Sequence, residues 1–234
     1  MKVLPDNIMF IDKPKGITSF DVIRVLRKKL GVRKLGHAGT LDPLASGLLI
    51  VGVGEGTAKL NKFLKLPKEY NVEILLGIAT DTGDLEGRVT GQKFVSLEIP
   101  NSKSQIINKS QITISKTQIK HVLENITGVI ELLVPTYSAV KQRGVPLYKR
   151  ARRGEKIELP KKKMEIKKIR LLNLFQEGKH MILKLEMEVE SGTYVRSVTE
   201  EIGRRLGVPA MVKDLRRIKI GKFDISQAQK LDDV

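Results

Sequence analysis

The chain of 234 residues contains no cysteine, so disulfides, thiolate catalysis and cysteine-ligated metal centres are all excluded. Its three histidines, His37, His121 and His180, stand far apart in sequence, which argues against a zinc site. No serine occupies a G-x-S-x-G elbow, so that nucleophile is missing as well. No run approaches the ~20 apolar residues that span a bilayer. The N-terminal MKVLPDNIMFIDKPKG lacks the apolar stretch of a signal peptide. The expected location is therefore cytoplasmic.

What the sequence has in excess is positive charge. Lys and Arg number 43 against 26 Asp and Glu, a net of +17. The excess is concentrated: residues 141–170 carry 13 basic and three acidic side chains, and residues 204–222 carry seven and one. Two such patches suit a polyanionic partner, the plainer alternative being a solvated face. At 41% hydrophobic residues, the chain can bury a substantial core.

Pattern reading gives a strand at Ile8–Lys13 ending in a Pro-Lys-Gly turn. Ser19 can cap a helix with Phe20, Ile23, Leu26 and Leu30 on one face and Gly31 as its stop. VRKLGHAGTLDP is too glycine-rich for regular structure, Leu48–Val53 reads as a buried strand, and Thr57–Lys65 as a short amphipathic helix. Tyr70, Val72, Ile74, Leu76 and Ile78 alternate as on a strand. Residues 92–118 read as a polar surface insertion, followed by a helix to Ile126. A basic segment at 137–163 surrounds a short helix at Leu147–Arg153. Strands are expected at Met164–Leu174 and His180–Glu190, then a helix to Gly207 and a last strand in MVKDLRRIKIGKF. The fold expected is one mixed α/β (α+β) domain, 1–234, around a largely antiparallel sheet.

Candidate chemistry centres on GHAGTLDPLASGLLIVGV, residues 36–53, which holds a single acid, Asp42, among small residues. Asp-Pro after a glycine-rich loop commonly marks a turn or cap. Here His37, Thr40 and Asp42 share a loop whose glycines let other groups approach the backbone closely.

This stretch resembles the catalytic motif of the bacterial tRNA pseudouridine synthase B (TruB) family. The resemblance continues in order through DKPKGITSFDV, KEYNVEILLGIATDTGDLEG, VPTYSAVKQRGVPLYKRARRGE, SGTYVRSVTEEIGRRLG and LRRIKIGKF. It implies a pseudouridine synthase-like fold and isomerisation of uridine to pseudouridine in tRNA, at position 55 of the T-loop. The substrate partner would be the tRNA T-arm, bound by a monomer without metal, nucleotide or organic cofactor. It also implies that Asp42 is the nucleophile, that Tyr70 stacks on the base and takes part in proton removal, and that Arg196 pairs with Asp42. His37, Tyr194 and Leu215 would line the base pocket. Family members usually continue into a small C-terminal RNA-binding domain, and this chain is expected to be a short member without one, either naturally or because the end was removed.

Physical chemistry agrees with these roles. A nucleophilic carboxylate has to stay ionised where water is excluded, and a guanidinium opposes the upward pKa shift of burial. Each residue also has a plainer reading: Tyr70 as strand core, Arg196 as a surface arginine, His37 as a partner of its own loop. Asp81, Asp84 and Glu86 in TDTGDLEG lack the full pattern of a calcium loop and read as a capped turn. A non-catalytic RNA-binding factor would use the same basic patches but has no need of a carboxylate that repels phosphate. An RNA-guided enzyme of archaeal type fits TDTGDLEG less well.

Overall fold

The computed structural model describes residues 5–98 and 111–234, so the middle of the expected insertion lies outside the described residues. Strand β1 (Ile8–Lys13) has the expected bounds. Helix α1 (Ser19–Leu30) ends at Gly31 in the left-handed region, φ 65°. Its cap is Thr18 and not Ser19. Thr18 Oγ1 accepts from the Asp21 N–H at 3.0 Å, and the Asp21 carboxylate accepts from the Thr18 N–H at 2.8 Å, a reciprocal arrangement that satisfies two otherwise orphan donors. Of the expected apolar face, Ile23 and Leu26 are buried and Leu30 packs against the same core, and only Phe20 falls outside it. Phe20 is 56% exposed, and the buried stripe is Ser19, Val22, Ile23 and Leu26.

Leu35–Ala38, expected to be irregular, forms strand β2. It pairs antiparallel with β3 (Ser46–Val53), and cross-strand pairing overrides the glycine content. A 3-10 turn at Gly54–Lys59 leads into α2 (Leu60–Leu64). Strand β4 (Lys68–Leu76) is separated from β5 (Ile78–Thr80) by Gly77. The break needs glycine: φ is +105°, and a Cβ would stand 2.4 Å from the Lys93 carbonyl oxygen. The described flanks of the expected surface insertion are not a surface excursion: they form strands that bury Val95 and Ile114. β6 (Val89–Gln92) pairs with β5, and β7 (Phe94–Leu97) pairs with β8 (Gln111–Ile114). Next come α3 (Lys116–Ile126), β9 (Gly128–Leu133) and a small hairpin of β10 (Lys141–Gln142) and β11 (Val145–Pro146). Helix α4 (Leu147–Arg152), β12 (Lys161–Glu177), β13 (His180–Val189) and α5 (Val195–Leu206) follow. The chain continues through β14 (Ala210–Ile220), β15 (Phe223–Asp224) and β16 (Gln229–Lys230).

These elements make a mixed α/β fold divided between two compact units. One comprises Met1–Asn71, Glu188–Ser191 and Asp214–Val234; the other comprises Val72–Met187 and Gly192–Lys213. In the first, β3 lies antiparallel to β1 and β2 and parallel to β14, where Arg216 is opposite Ser46. The sheet is apolar on both faces. Met9, Ile11, Leu49 and Val51 pack against Val22, Ile23 and Leu26 of α1. Ile8, Phe10, Leu48 and Ile50 pack against Leu60 and Ile220. Burial of this kind stabilises by roughly 1.5–3 kcal/mol per large apolar side chain and makes β3 a rigid base for the loop before it. In the second unit β9 lies antiparallel to β12, and β13 is the other neighbour of β12. Helices α3 and α5 pack together. Among the described residues, no helix is long and apolar enough to cross a membrane.

Candidate active site

Asp42 lies between β2 and β3, half-buried, in a loop entered through Gly39 (φ 81°). The Ala45 N–H donates to the Asp42 carbonyl at 3.0 Å, so Asp42-Pro43 does open a turn. Both neighbours of Asp42 are held. The Ser19 hydroxyl donates to the Leu41 carbonyl at 3.1 Å and accepts from the Leu41 N–H at 2.8 Å. The Pro43 carbonyl accepts from the Gly16 N–H at 2.9 Å, with the buried Lys13 ammonium 3.5 Å away. Arg217, 1% exposed, donates from Nη2 to the Gly39 carbonyl at 2.9 Å and from Nε to the Leu48 carbonyl at 2.8 Å.

The other expected residues of this unit lie on the same framework. His37 is on β2 opposite Val51; burial first, and the Arg217 charge second, hold its imidazole below the usual histidine pKa. Its Nδ1 is buried without a hydrogen-bond partner. Leu215 is buried on β14, one residue before the pair of Arg216 with Ser46 at the loop exit. Tyr70 is buried near the start of β4. The start of β4 is tied to the end of β14 by the Gly221 N–H to the Pro67 carbonyl, 2.9 Å, and by Lys219 to Glu69, 3.0 Å. Lys68, two residues before Tyr70, donates to the Leu64 carbonyl at 2.6 Å. Burial and the Arg217 charge push its ammonium down to about 8, against the upward pull of Glu190.

Tyr194 and Arg196 belong to the other unit, at the N-terminus of α5. Arg196 is 6% exposed, not the surface arginine of the plainer reading. It donates to the carbonyls of Thr82 at 2.9 Å and Tyr137 at 3.0 Å, and its Nε is 3.9 Å from Asp84 Oδ2. The Lys162 ammonium sits 5.8 Å over the Tyr194 ring. TDTGDLEG forms the expected capped turn. Asp84 Oδ1 accepts from Thr82 Oγ1 at 2.6 Å and the Glu86 N–H at 3.1 Å, and Asp81 accepts from the Arg88 N–H at 2.8 Å. Among the described residues no group of three or more acids and histidines could hold a metal.

The two basic patches differ. In 141–170, Lys149, Arg152, Arg153 and Lys156 are exposed, while Arg150 is tied to Glu155 at 2.6 Å and to Gln142. In the 204–222 patch most cations have acidic partners, while Arg204 and Lys222 stay exposed. Arg204 and Arg205 pair with Glu201, Lys213 with Glu177, Arg216 with Asp12 and Lys219 with Glu69.

Residues 27–195 match the model of the TruB family pseudouridylate synthase N-terminal domain. The chain belongs to the TruB family. Within it, the chain is 39% identical to a tRNA pseudouridine synthase B of Endomicrobium trichonymphae, over 97% of this chain and 90% of that protein. It is 40% identical to one of Caldicellulosiruptor saccharolyticus, over 97% of this chain and 71% of the other. Among solved structures it resembles a chain of a Cbf5–Nop10–Gar1 complex, with 27% identity and a TM-score of 0.66 over 97% of this chain. It spans about half of that solved chain, 52%. The TruB match takes in His37, Asp42, Tyr70 and Tyr194; Arg196 is the first residue past its end, and Leu215 lies well beyond it. Sequence reasoning passed over Arg217 and Lys68, and took Ser19 for a cap. A usable signal for Arg217 was the pair Arg216-Arg217 in a strand, where successive side chains point to opposite faces and one of two arginines must turn inward.

Proposed function

We propose that this TruB-family chain isomerises uridine to pseudouridine in tRNA, acting as a cytoplasmic monomer on the T-loop uridine of the T-arm. The reacting atoms of a base in a folded loop are inaccessible, so the nucleotide is flipped out first. The uracil is then detached from its N-glycosidic bond, rotated and rejoined through carbon. Asp42 is the nucleophile, Tyr70 stacks on the base and takes part in proton removal, and Arg196 completes the catalytic set. His37, Tyr194 and Leu215 line the base pocket, and exposed cations of 141–170 meet phosphates. The scheme calls on no metal or organic cofactor.

The observation that carries this reading is the Asp42 loop: a half-buried carboxylate whose neighbours on both sides, Leu41 and Pro43, are hydrogen-bonded to β1–α1 groups. A nucleophile needs that fixed placement; a module that only binds RNA gains nothing from it. The test is incubation of the purified chain with unmodified tRNA, followed by carbodiimide-stop mapping. A stop at the T-loop uridine that is absent with D42N supports the reading, and a tRNA without any new stop rules it out.

A further inference from the structure

The side chain that reaches both ends of the Asp42 loop is not one of the expected site residues. Arg217 bonds Gly39, where the chain leaves β2, and Leu48, just inside β3. Its own position is set by the sheet, since Arg217 lies opposite Gly47 in the parallel pairing of β14 with β3. Among the described residues no carboxylate forms an ion pair with Arg217, and its donors go to backbone carbonyls. A guanidinium suits this task because its donors lie in one rigid plane and can reach two acceptors at once; a lysine offers a single point charge. A buried, charged side chain is costly unless its bonds are made, so these two carbonyls are held where Arg217 requires them.

Ser19 performs the same service at the middle of the loop. Its hydroxyl, on a residue 1% exposed, takes both backbone groups of Leu41, the residue before Asp42. A backbone residue bonded at its N–H and its C=O cannot rotate about either peptide plane without breaking a buried hydrogen bond.

We infer that Arg217 and Ser19 are positioning residues for the Asp42 nucleophile, acting through the loop backbone and not on the substrate. The inference rests on the role of Asp42 proposed above. Misplacement of a nucleophile by about 1 Å costs on the order of a hundredfold in rate, whereas RNA contacts made elsewhere are untouched. The effect therefore belongs in kcat and not in KM.

The experiment compares the full-length wild type, D42N, S19A and R217K on unmodified tRNA, with thermal melts of each. S19A and R217K are expected to lose roughly 10- to 100-fold in kcat with KM within about threefold, while still folded at the assay temperature. A kcat within about twofold of wild type in the folded variants would overturn the inference. So would a loss that merely follows the unfolded fraction. Should R217K fail to fold, S19A decides alone, since it removes only one hydroxyl. An inactive wild type, or an active D42N, would instead sink the role given to Asp42, so the two failures are told apart.

Discussion

Gly47 and Arg217 face each other across β3 and β14 at a separation that leaves no room for a side chain: a Cβ on Gly47 would stand 2.2 Å from the Arg217 carbonyl oxygen and 2.8 Å from its nitrogen. With φ at +107°, the residue also holds a backbone conformation closed to most side chains. G47A should therefore push β14 off β3 and with it the guanidinium that holds Gly39 and Leu48. We expect a loss of at least about 3 kcal/mol in urea unfolding. A variant melting within about 0.5 kcal/mol of wild type would show that the strand pair adjusts freely.

D42N keeps the shape of the loop and removes the charge of the proposed nucleophile. Pseudouridine formation should fall by at least about a thousandfold, roughly 4 kcal/mol of transition-state stabilisation. The tRNA Kd should stay within a few-fold. The measurement is single-turnover conversion beside a binding isotherm, on protein purified free of wild-type enzyme. Retention of more than a few per cent of the rate contradicts nucleophilic catalysis by Asp42.

Affinity for tRNA should fall steeply with salt, and the exposed cations of α4 and the turn after it should account for part of the slope. Replacing Lys149 and Arg152 by Gln is expected to flatten log K against log salt by about 1–2. R150Q is the internal comparison. Arg150 is bound to Glu155 and Gln142, so its loss should lower the melting temperature more than the salt slope. Equal slopes for wild type and the double variant would place the RNA elsewhere.

Lys68 gives stability a pH dependence of unusual sign for a lysine. Its pKa is about 8 in the fold against an ordinary 10.5, so between those values the unfolded chain binds the extra proton. The cost of burying the ammonium is fully present below about pH 8 and disappears as pH rises toward 10.5. The unfolding free energy of wild type relative to K68M should accordingly climb by on the order of 1–3 kcal/mol from about pH 7.5 to 10.5. Paired urea melts at several pH values measure it; a flat or falling difference would show that the ammonium is well solvated.

Elements bounded by strong punctuation were legible in the sequence. β1 stops at Lys-Pro-Lys-Gly and α1 at Gly31 because proline and a left-handed glycine act locally. β2 was not legible, since what makes it a strand is its partner: Gly36 lies opposite Gly52, two residues with poor intrinsic preference for a sheet. Phe20 misled because a helical stripe read from apolar residues ignores a buried serine turned toward Leu41. The Asp42 motif stood out as one acid among small residues. Arg217 did not, because charge counts treat every arginine alike, and its purpose is visible only in the carbonyls it meets.

The bond between Arg217 and Gly39 joins residues 178 positions apart. On a ribosome adding roughly 5–20 residues each second, Asp42 emerges about 10–40 s before the strand that carries Arg217. During that interval the nascent polypeptide carries the Asp42 loop with β1, α1, β2 and β3 already made but without the bonds from Arg217 to Gly39 and Leu48. A chain stalled before residue 217 would display the motif held by Ser19 and Gly16, without the two bonds from Arg217.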